Sequence, residues 1–231
     1  MSKTVTVKDI QVILCDIEGT TTPISFVKSV LFPYITDNLS NFLLENVNQK
    51  WFCQFLQDHM ISKENLEQEI RRLMSVDSKI SWLKKFQGLM WEHAYHNYKV
   101  QGQVYPDFPD FLKRNSEKFR IGIYSSGSIQ AQKLLFSFTE NNGNLLQHLK
   151  FHFDTTIGLK TLPNSYTLIS QELQVEPREI LFLSDSILEI EAASKAGLKT
   201  LRVDREQKHT SNGVVHSFDE VDVIRKAIKL K

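Results

Sequence analysis

The sequence predicts an open α/β sheet of parallel strands, Rossmann-like in layout, with an all-helical block inserted after the first strand. Three observations predict it. Four short stretches are continuously apolar instead of alternating, which suits strands covered on both faces. Helix-like segments separate them through the second half of the chain, the pattern of βαβ units with right-handed crossovers. Residues 33–105 break that rhythm and hold helical patterns with no convincing strand.

The strand candidates in order are IQVILCD at 10–16, FRIGIYS at 119–125, EILFLSD at 179–185 and KTLRVD at 199–204, with FHFDT at 151–155 as a weaker fifth. Helices are expected at 107–117, 128–138, 164–173, 187–196 and 218–229. Ser128 fits an N-cap for the second of these, and Gly197 a C-cap for the fourth. The inserted block carries YITDNLSNFLLENV, WFCQFLQDHM, ENLEQEIRRLM and ISWLKKFQGLMWEHAYHNY. The expected division is therefore an α/β core of residues 1–32 and 106–231 and a helical cap of residues 33–105. With no internal repeat and no low-complexity linker, the cap is expected to dock over the core as a lid.

A chain of 231 residues can form one large core, or a core with a smaller appended domain. Its hydrophobic share of 41% and charged share of 24% are ordinary for a soluble globular protein. A formal net charge of +1 argues against nucleic acid or an anionic membrane as partner, since both require a concentrated basic face. The basic end, IRKAIKLK, is expected to be a surface helix. Cys15 and Cys53 lack metal-type spacing and are too few for a disulfide framework. Cys15, inside an apolar strand, is expected to be a buried free thiol. No apolar run is long enough to span a bilayer, and MSKTVTVKDI lacks the marks of a secretory signal, so an intracellular, soluble protein is expected.

In open α/β sheets ligands bind outside the carboxyl ends of the strands. The first strand ends at Asp16, with Glu18 just beyond. The 119–125 strand runs into Ser125, Ser126, Gly127 and Ser128, the 179–185 strand ends at Ser184 and Asp185, and Lys160 follows the weak fifth strand. Each residue alone has an ordinary reading as a turn acid, a helix cap or a solvated charge. Together, carboxylates, hydroxyls and an ammonium at one sheet edge suit a metal ion facing a phosphoryl group. Hard cations such as Mg²⁺ take oxygen ligands, commonly one or two carboxylates plus substrate phosphate.

The order of these pieces resembles the haloacid dehalogenase superfamily of phosphohydrolases. Its four motifs are matched by Asp16-Ile17-Glu18-Gly19-Thr20, Ser125-Ser126, Lys160 and Asp185. Glu18 departs from the general D-x-D pattern. DIEGTTTPISFVKSVLFPY, FQGLMWEHAY at 86–95, VYPD at 104–107, IYSSGSIQAQKLLF at 123–136, HFDTTIGLK at 152–160 and ILFLSD at 180–185 resemble the enolase-phosphatase family of methionine salvage. That resemblance implies conversion of a 2,3-diketo-5-methylthiopentyl 1-phosphate to its enol, then to the acireductone and phosphate. It implies Asp16 as nucleophile and Glu18 as general acid/base. Ser125, Ser126 and Lys160 are expected on the phosphoryl group. One Mg²⁺ per subunit is expected on Asp16, Asp185 and the carboxylate or backbone carbonyl of Glu18.

The resemblance further implies a cytoplasmic protein, with the nucleus as a second compartment; a monomer is the default expectation. Trp51, Trp82, Trp91, Phe86 and Tyr95 are expected to form either the cap's own core or a thioether pocket. His93 and His96 share a helix face without a third metal ligand. Three stretches depart from the family pattern: Leu162 after the Lys160 motif, Ala94-Tyr95-His96-Asn97-Tyr98 in the cap, and Val203-Asp204-Arg205-Glu206 after the last core strand. The rival expectations are a phosphatase with another small ester as substrate, and a catalytically silent scaffold relative.

Overall fold

Val12, Ile13, Leu14 and Cys15 are wholly buried, which a short strand achieves only in the middle of a sheet covered on both faces. The computed structural model describes residues 4–226 except 77, 79 and 210. It opens with strands β1 (Val5–Ile10) and β2 (Val12–Cys15). The helices α1 (Ile24–Phe26), α2 (Phe32–Asn46), α3 (Lys50–Asp58), α4 (Leu66–Ser75) and α5 (Ser81–His96) follow. The chain then alternates: α6 (Asp107–Asn115), β3 (Arg120–Tyr124), α7 (Ile129–Ser137), β4 (Phe151–Phe153), α8 (Pro163–Leu173), β5 (Ile180–Ser184), α9 (Ile187–Lys195) and β6 (Lys199–Val203). Short strands β7 (Val214–Val215) and β8 (Val221–Arg225) end the described chain.

Six strands form one parallel sheet in the order β4-β3-β2-β5-β6-β7. Val12 and Leu14 share one sheet face and pack with Tyr166, Ile169 and Leu173 of α8 and with Ala192 and Ala193 of α9. Elsewhere in this unit Phe218 packs against Phe108 and Phe111 of α6 with tilted rings, their centroids 5.1 and 4.8 Å away. Ser128 caps α7 by accepting the Ala131 N–H at 3.3 Å. Gly197, just past α9, has φ +90°, a left-handed turn that glycine adopts without a Cβ penalty.

Chain contacts divide the protein into two compact units, one of Met1–Ile24 with Gln101–Lys231 and the other of Ser25–Val100. The second unit is helical. Ile35, Leu39, Phe42, Phe52, Phe55, Ile70, Leu83, Phe86 and Met90 form its buried core. Phe86 is therefore core rather than pocket, and Trp82 and Trp91 are partly buried against the same cluster. Trp51 alone of the three tryptophans is exposed. No helix among the described residues is long and apolar enough to cross a membrane.

One expected element is corrected. Residues 218–229 were expected to be helical, but a 3-10 turn at Phe218–Glu220 leads into β8, which runs parallel to β1 with Val5 opposite Val221 and Val7 opposite Val223. The β-branched alternation of VTV against VDV favours a ladder over a helix. The rest of the IRKAIKLK tail, from residue 227, lies outside the described residues.

Candidate active site

Register alone brings three strand ends to one edge. Cys15 pairs with Ile123 on one side and Leu183 on the other, and the Asp16 N–H continues that ladder to the Leu183 carbonyl at 2.9 Å. Asp16, Ser125 and Asp185 therefore leave neighbouring strands within a residue or two of each other. The loop after β2 turns back sharply, with the Thr20, Thr21 and Thr22 N–H groups all donating to the Ile17 carbonyl at 2.9–3.1 Å. Gly19 carries φ +77°, and a Cβ there would stand 2.2 Å from Asp185 Oδ2. Only glycine fits both the turn and the neighbour.

Thr20 joins the two acids. Its hydroxyl donates to Asp16 Oδ2 at 3.2 Å and accepts the Asp185 N–H at 2.9 Å. Asp16 and Thr20 are buried, whereas Glu18 is half-buried.

Lys160 reaches this edge from the loop before α8. Its ammonium contacts Asp16 Oδ1 and lies 2.7 Å from Glu189 Oε2. Three consecutive carbonyls fix that loop: Tyr124 donates to Gly158, Ser165 to Leu159 and Tyr166 to Lys160, at 2.8, 2.8 and 2.7 Å. The departure at Leu162 leaves Ser165 and Tyr166 in place, and Leu162 itself is exposed.

On β3, the buried Ser125 accepts the Gly127 N–H at 3.2 Å, which leaves its hydroxyl proton to donate elsewhere. Ser126 is exposed. At the start of α7 the Ile129 N–H is taken by Asp154 Oδ2 at 3.2 Å and the Ala131 N–H by Ser128. Those two amides are satisfied within the chain.

Charge is unbalanced here. Burial, then the charges of Asp16 and Glu189, push Asp185 up to about 6 against the opposing pull of Lys160. Burial and Asp16 push Glu189 up as well. Burial pulls the Lys160 ammonium down, but Asp16 and Glu189 more than reverse it, so its net shift is upward. Burial, then Asp16, also raises the Cys15 thiol, which leaves it an inert core group.

Among the described residues no three His, Cys, Asp or Glu side chains are grouped to hold a metal. The Asp16, Glu18 and Asp185 carboxylates thus do not form a ready trio.

Sequence reasoning missed Glu189 and gave Thr20 no role. Glu189 stands in the first turn of α9, four residues after Asp185, a spacing that faces one helical turn back toward a strand end. Ser184 also donates to it at 2.8 Å.

The family model for a haloacid dehalogenase-like hydrolase matches residues 10–197. The enolase-phosphatase E1 of a Sulfurihydrogenibium species is 45% identical over 94% of this chain and 99% of its own length. That of Pseudomonas fluorescens is 42% identical, over 92% and 97%. The solved structure of the UTR4 protein of Saccharomyces cerevisiae superposes with a TM-score of 0.79 at 34% identity, covering 96% of this chain and all of that one. A putative HAD-hydrolase of Bacillus subtilis, YfnB, shares the fold with a TM-score of 0.58 at 13% identity. The strand-end carboxylates, the buried lysine and this similarity along nearly the whole chain agree: the protein belongs to the enolase-phosphatase E1 family of haloacid dehalogenase-like hydrolases.

Proposed function

We propose that this chain is the enolase-phosphatase of methionine salvage, converting 5-methylthio-2,3-dioxopentyl phosphate to its enol and then to the acireductone plus phosphate. The observation that carries the reading is the buried contact of Lys160 with Asp16, within a site where Thr20 links Asp16 to Asp185. A scaffold protein would not need a buried ammonium shared between two carboxylates beside a third whose ionisation is resisted.

Asp16 acts as nucleophile. A carboxylate oxygen bonds to phosphorus, the bond from phosphorus to the enol oxygen breaks, and an aspartyl-phosphate forms. Glu18 gives a proton to the departing oxygen, then takes one from the water that releases phosphate and restores Asp16. Lys160 and the Ser125 hydroxyl hold the phosphoryl oxygens, with Ser126 beside them, and stabilise the charge they carry during transfer. In the preceding enolisation a proton moves from carbon to a carbonyl oxygen. Glu18 is suited to it because its extra methylene extends the carboxylate by about 1.5 Å over an aspartate.

The donor set fits Mg²⁺. The carboxylates of Asp16 and Asp185 are hard oxygen ligands of the kind Mg²⁺ takes, and the Thr20 hydroxyl links the two residues. Asp16, Asp185 and the Glu18 carbonyl would hold the ion. It would supply screening of the repulsion between Asp16 and an anionic phosphate. The helical unit Ser25–Val100 is the cap in this reading.

The test is an assay with the diketo-phosphate and Mg²⁺ that follows enol by ultraviolet absorbance and phosphate separately. Both should appear, in that order. Phosphate without enol would leave a plain phosphatase. Neither product would leave a silent relative. Glu18→Asp should slow enolisation, and full rates in both half-reactions would remove Glu18 from that step.

A further inference from the structure

Arg205 lies in the stretch after β6 that departs from the family pattern, and its side chain ends on the catalytic loop. Its Nε and Nη2 both donate to the Thr20 carbonyl, at 3.0 and 2.6 Å, and Nη1 donates to Asp107 Oδ2 at 2.6 Å. The guanidinium also lies over two rings, 4.0 Å from the Tyr105 centroid and 5.2 Å from that of Phe218. Both charged side chains are nearly closed to solvent, at 11% exposure for Arg205 and 9% for Asp107.

The surroundings hold the pair still. Asp107 Oδ2 also accepts the Phe218 N–H at 2.6 Å, while its Oδ1 is buried with no hydrogen-bond partner. The Tyr105 N–H donates to the Thr21 carbonyl at 2.9 Å, so two consecutive carbonyls of the loop are gripped by one cluster. The backbone before Arg205 is pinned in turn. The Asp204 N–H reaches the Val215 carbonyl at 2.8 Å, and the Asp204 carbonyl accepts from His216 Nδ1 at 3.0 Å.

A buried ion pair with one unpaired oxygen is a poor device for stability alone, because an apolar pair of similar volume is often as stable. Its geometry suits another purpose. A planar guanidinium directs two N–H groups at one carbonyl and a third at a carboxylate, which an ammonium cannot do in one plane. We propose that Arg205, locked by Asp107, is a positioning residue for phosphoryl transfer. It fixes the Thr20 peptide, and through the Thr20 hydroxyl it sets the Asp16 carboxylate against Asp185. The proposal rests on the phosphatase reading above but not on the diketone as substrate.

The experiment compares wild type, Arg205→Ala, Arg205→Lys and Asp107→Asn on the diketo-phosphate and on p-nitrophenyl phosphate, with Mg²⁺, at a temperature where circular dichroism shows each folded. A misplaced catalytic group costs up to about 100-fold. Arg205→Ala should therefore lose about 10- to 100-fold in kcat, with KM within about two-fold of wild type. Low guanidinium chloride should restore part of that kcat, ammonium chloride should not, and Arg205→Lys should stay close to Arg205→Ala. Asp107→Asn keeps the shape and should lose kcat in the same direction by a smaller factor. Unchanged kcat in the folded variants, or a deficit confined to KM or to melting temperature, overturns the proposal. Wild-type turnover of p-nitrophenyl phosphate alone would sink the substrate assignment and leave the clamp to be judged on that ester.

Discussion

Glu189 Oε2 lies 2.7 Å from Lys160 Nζ, so the ammonium that meets Asp16 is held from a second carboxylate. A lysine paired only with the nucleophile would compete with the phosphoryl group for it. Shared with Glu189, it keeps its charge while yielding Asp16. Glu189→Gln should lower kcat about 10- to 100-fold, the usual cost of losing a partner that orients a catalytic group. Steady-state phosphate release measures this, and a wild-type kcat would mean that Lys160 needs no second anchor.

Asp16→Asn separates chemistry from stability. Removing a covalent nucleophile should cost at least about 10⁴ in phosphate release. The same change takes away a charge that helps push both Asp185 and Glu189 upward, while Lys160 keeps Glu189 as its partner. The melting temperature without Mg²⁺ should therefore not fall. A drop of several degrees by calorimetry would show that the Asp16–Lys160 contact outweighs the crowding of carboxylates.

The difference between what the sequence made legible and what it hid follows from burial. β2, β3 and β5 announce themselves because both faces are covered and the runs are continuously apolar. Among the described residues β1 and β8 pair only with each other and stay half exposed, so VTVKDI carries no such signal and VDVIR reads as helix. Asp16, Ser125 and Asp185 were legible because strand ends mark the ligand edge of such a sheet. Glu189 was not, since an acid in the first turn of a helix has an ordinary reading against the helix dipole. Arg205 stands just beyond the end of β6, where the strand-end rule applies equally. Its surroundings, Val203-Asp204-Arg205-Glu206, depart from the family pattern, and a lone arginine in a loop has an ordinary reading as a solvated charge.

Gly19→Ala tests how closely the loop and Asp185 are fitted. The φ of +77° strains any side chain, and the new Cβ would meet Asp185 Oδ2 at 2.2 Å and Cγ at 2.7 Å. The expected loss is about 1–3 kcal/mol of stability from backbone strain. A fall in kcat of about 100-fold should accompany it, from displacement of Asp185. Gly127→Ala is the control, because its Cβ would find only Ser125 Oγ at 3.7 Å, an ordinary contact. Denaturation curves and kinetics for the two variants should differ in both respects, and equal behaviour would show that the loop relaxes around the added methyl.

His152 should give the protein a weakness in acid. Gln132 donates its amide to the Gly127 and Phe153 carbonyls at 2.9 and 2.8 Å, so its oxygen faces His152 Nδ1 at 3.1 Å and that nitrogen carries the proton. His152 Nε2 is buried with no hydrogen-bond partner. Protonating it would leave an N–H facing no acceptor. Burial, then the charge of Lys133, holds the ring down at about 4, below the ordinary 6.5. Between those values the unfolded chain binds a proton that the folded chain refuses, so stability rises with pH across the window and is lost as pH falls through it. The full shift is worth at most about 3 kcal/mol, less some screening at a half-buried ring. Asp185, raised to about 6, acts in the opposite sense because the folded chain keeps its proton longer. The informative comparison is therefore wild type against His152→Gln, by urea denaturation at about pH 7 and about pH 4.5. The wild type should lose more stability than the variant between the two conditions. Equal losses would mean that the ring takes its proton without unfolding and that Gln132 and its hold on Gly127 survive the added charge.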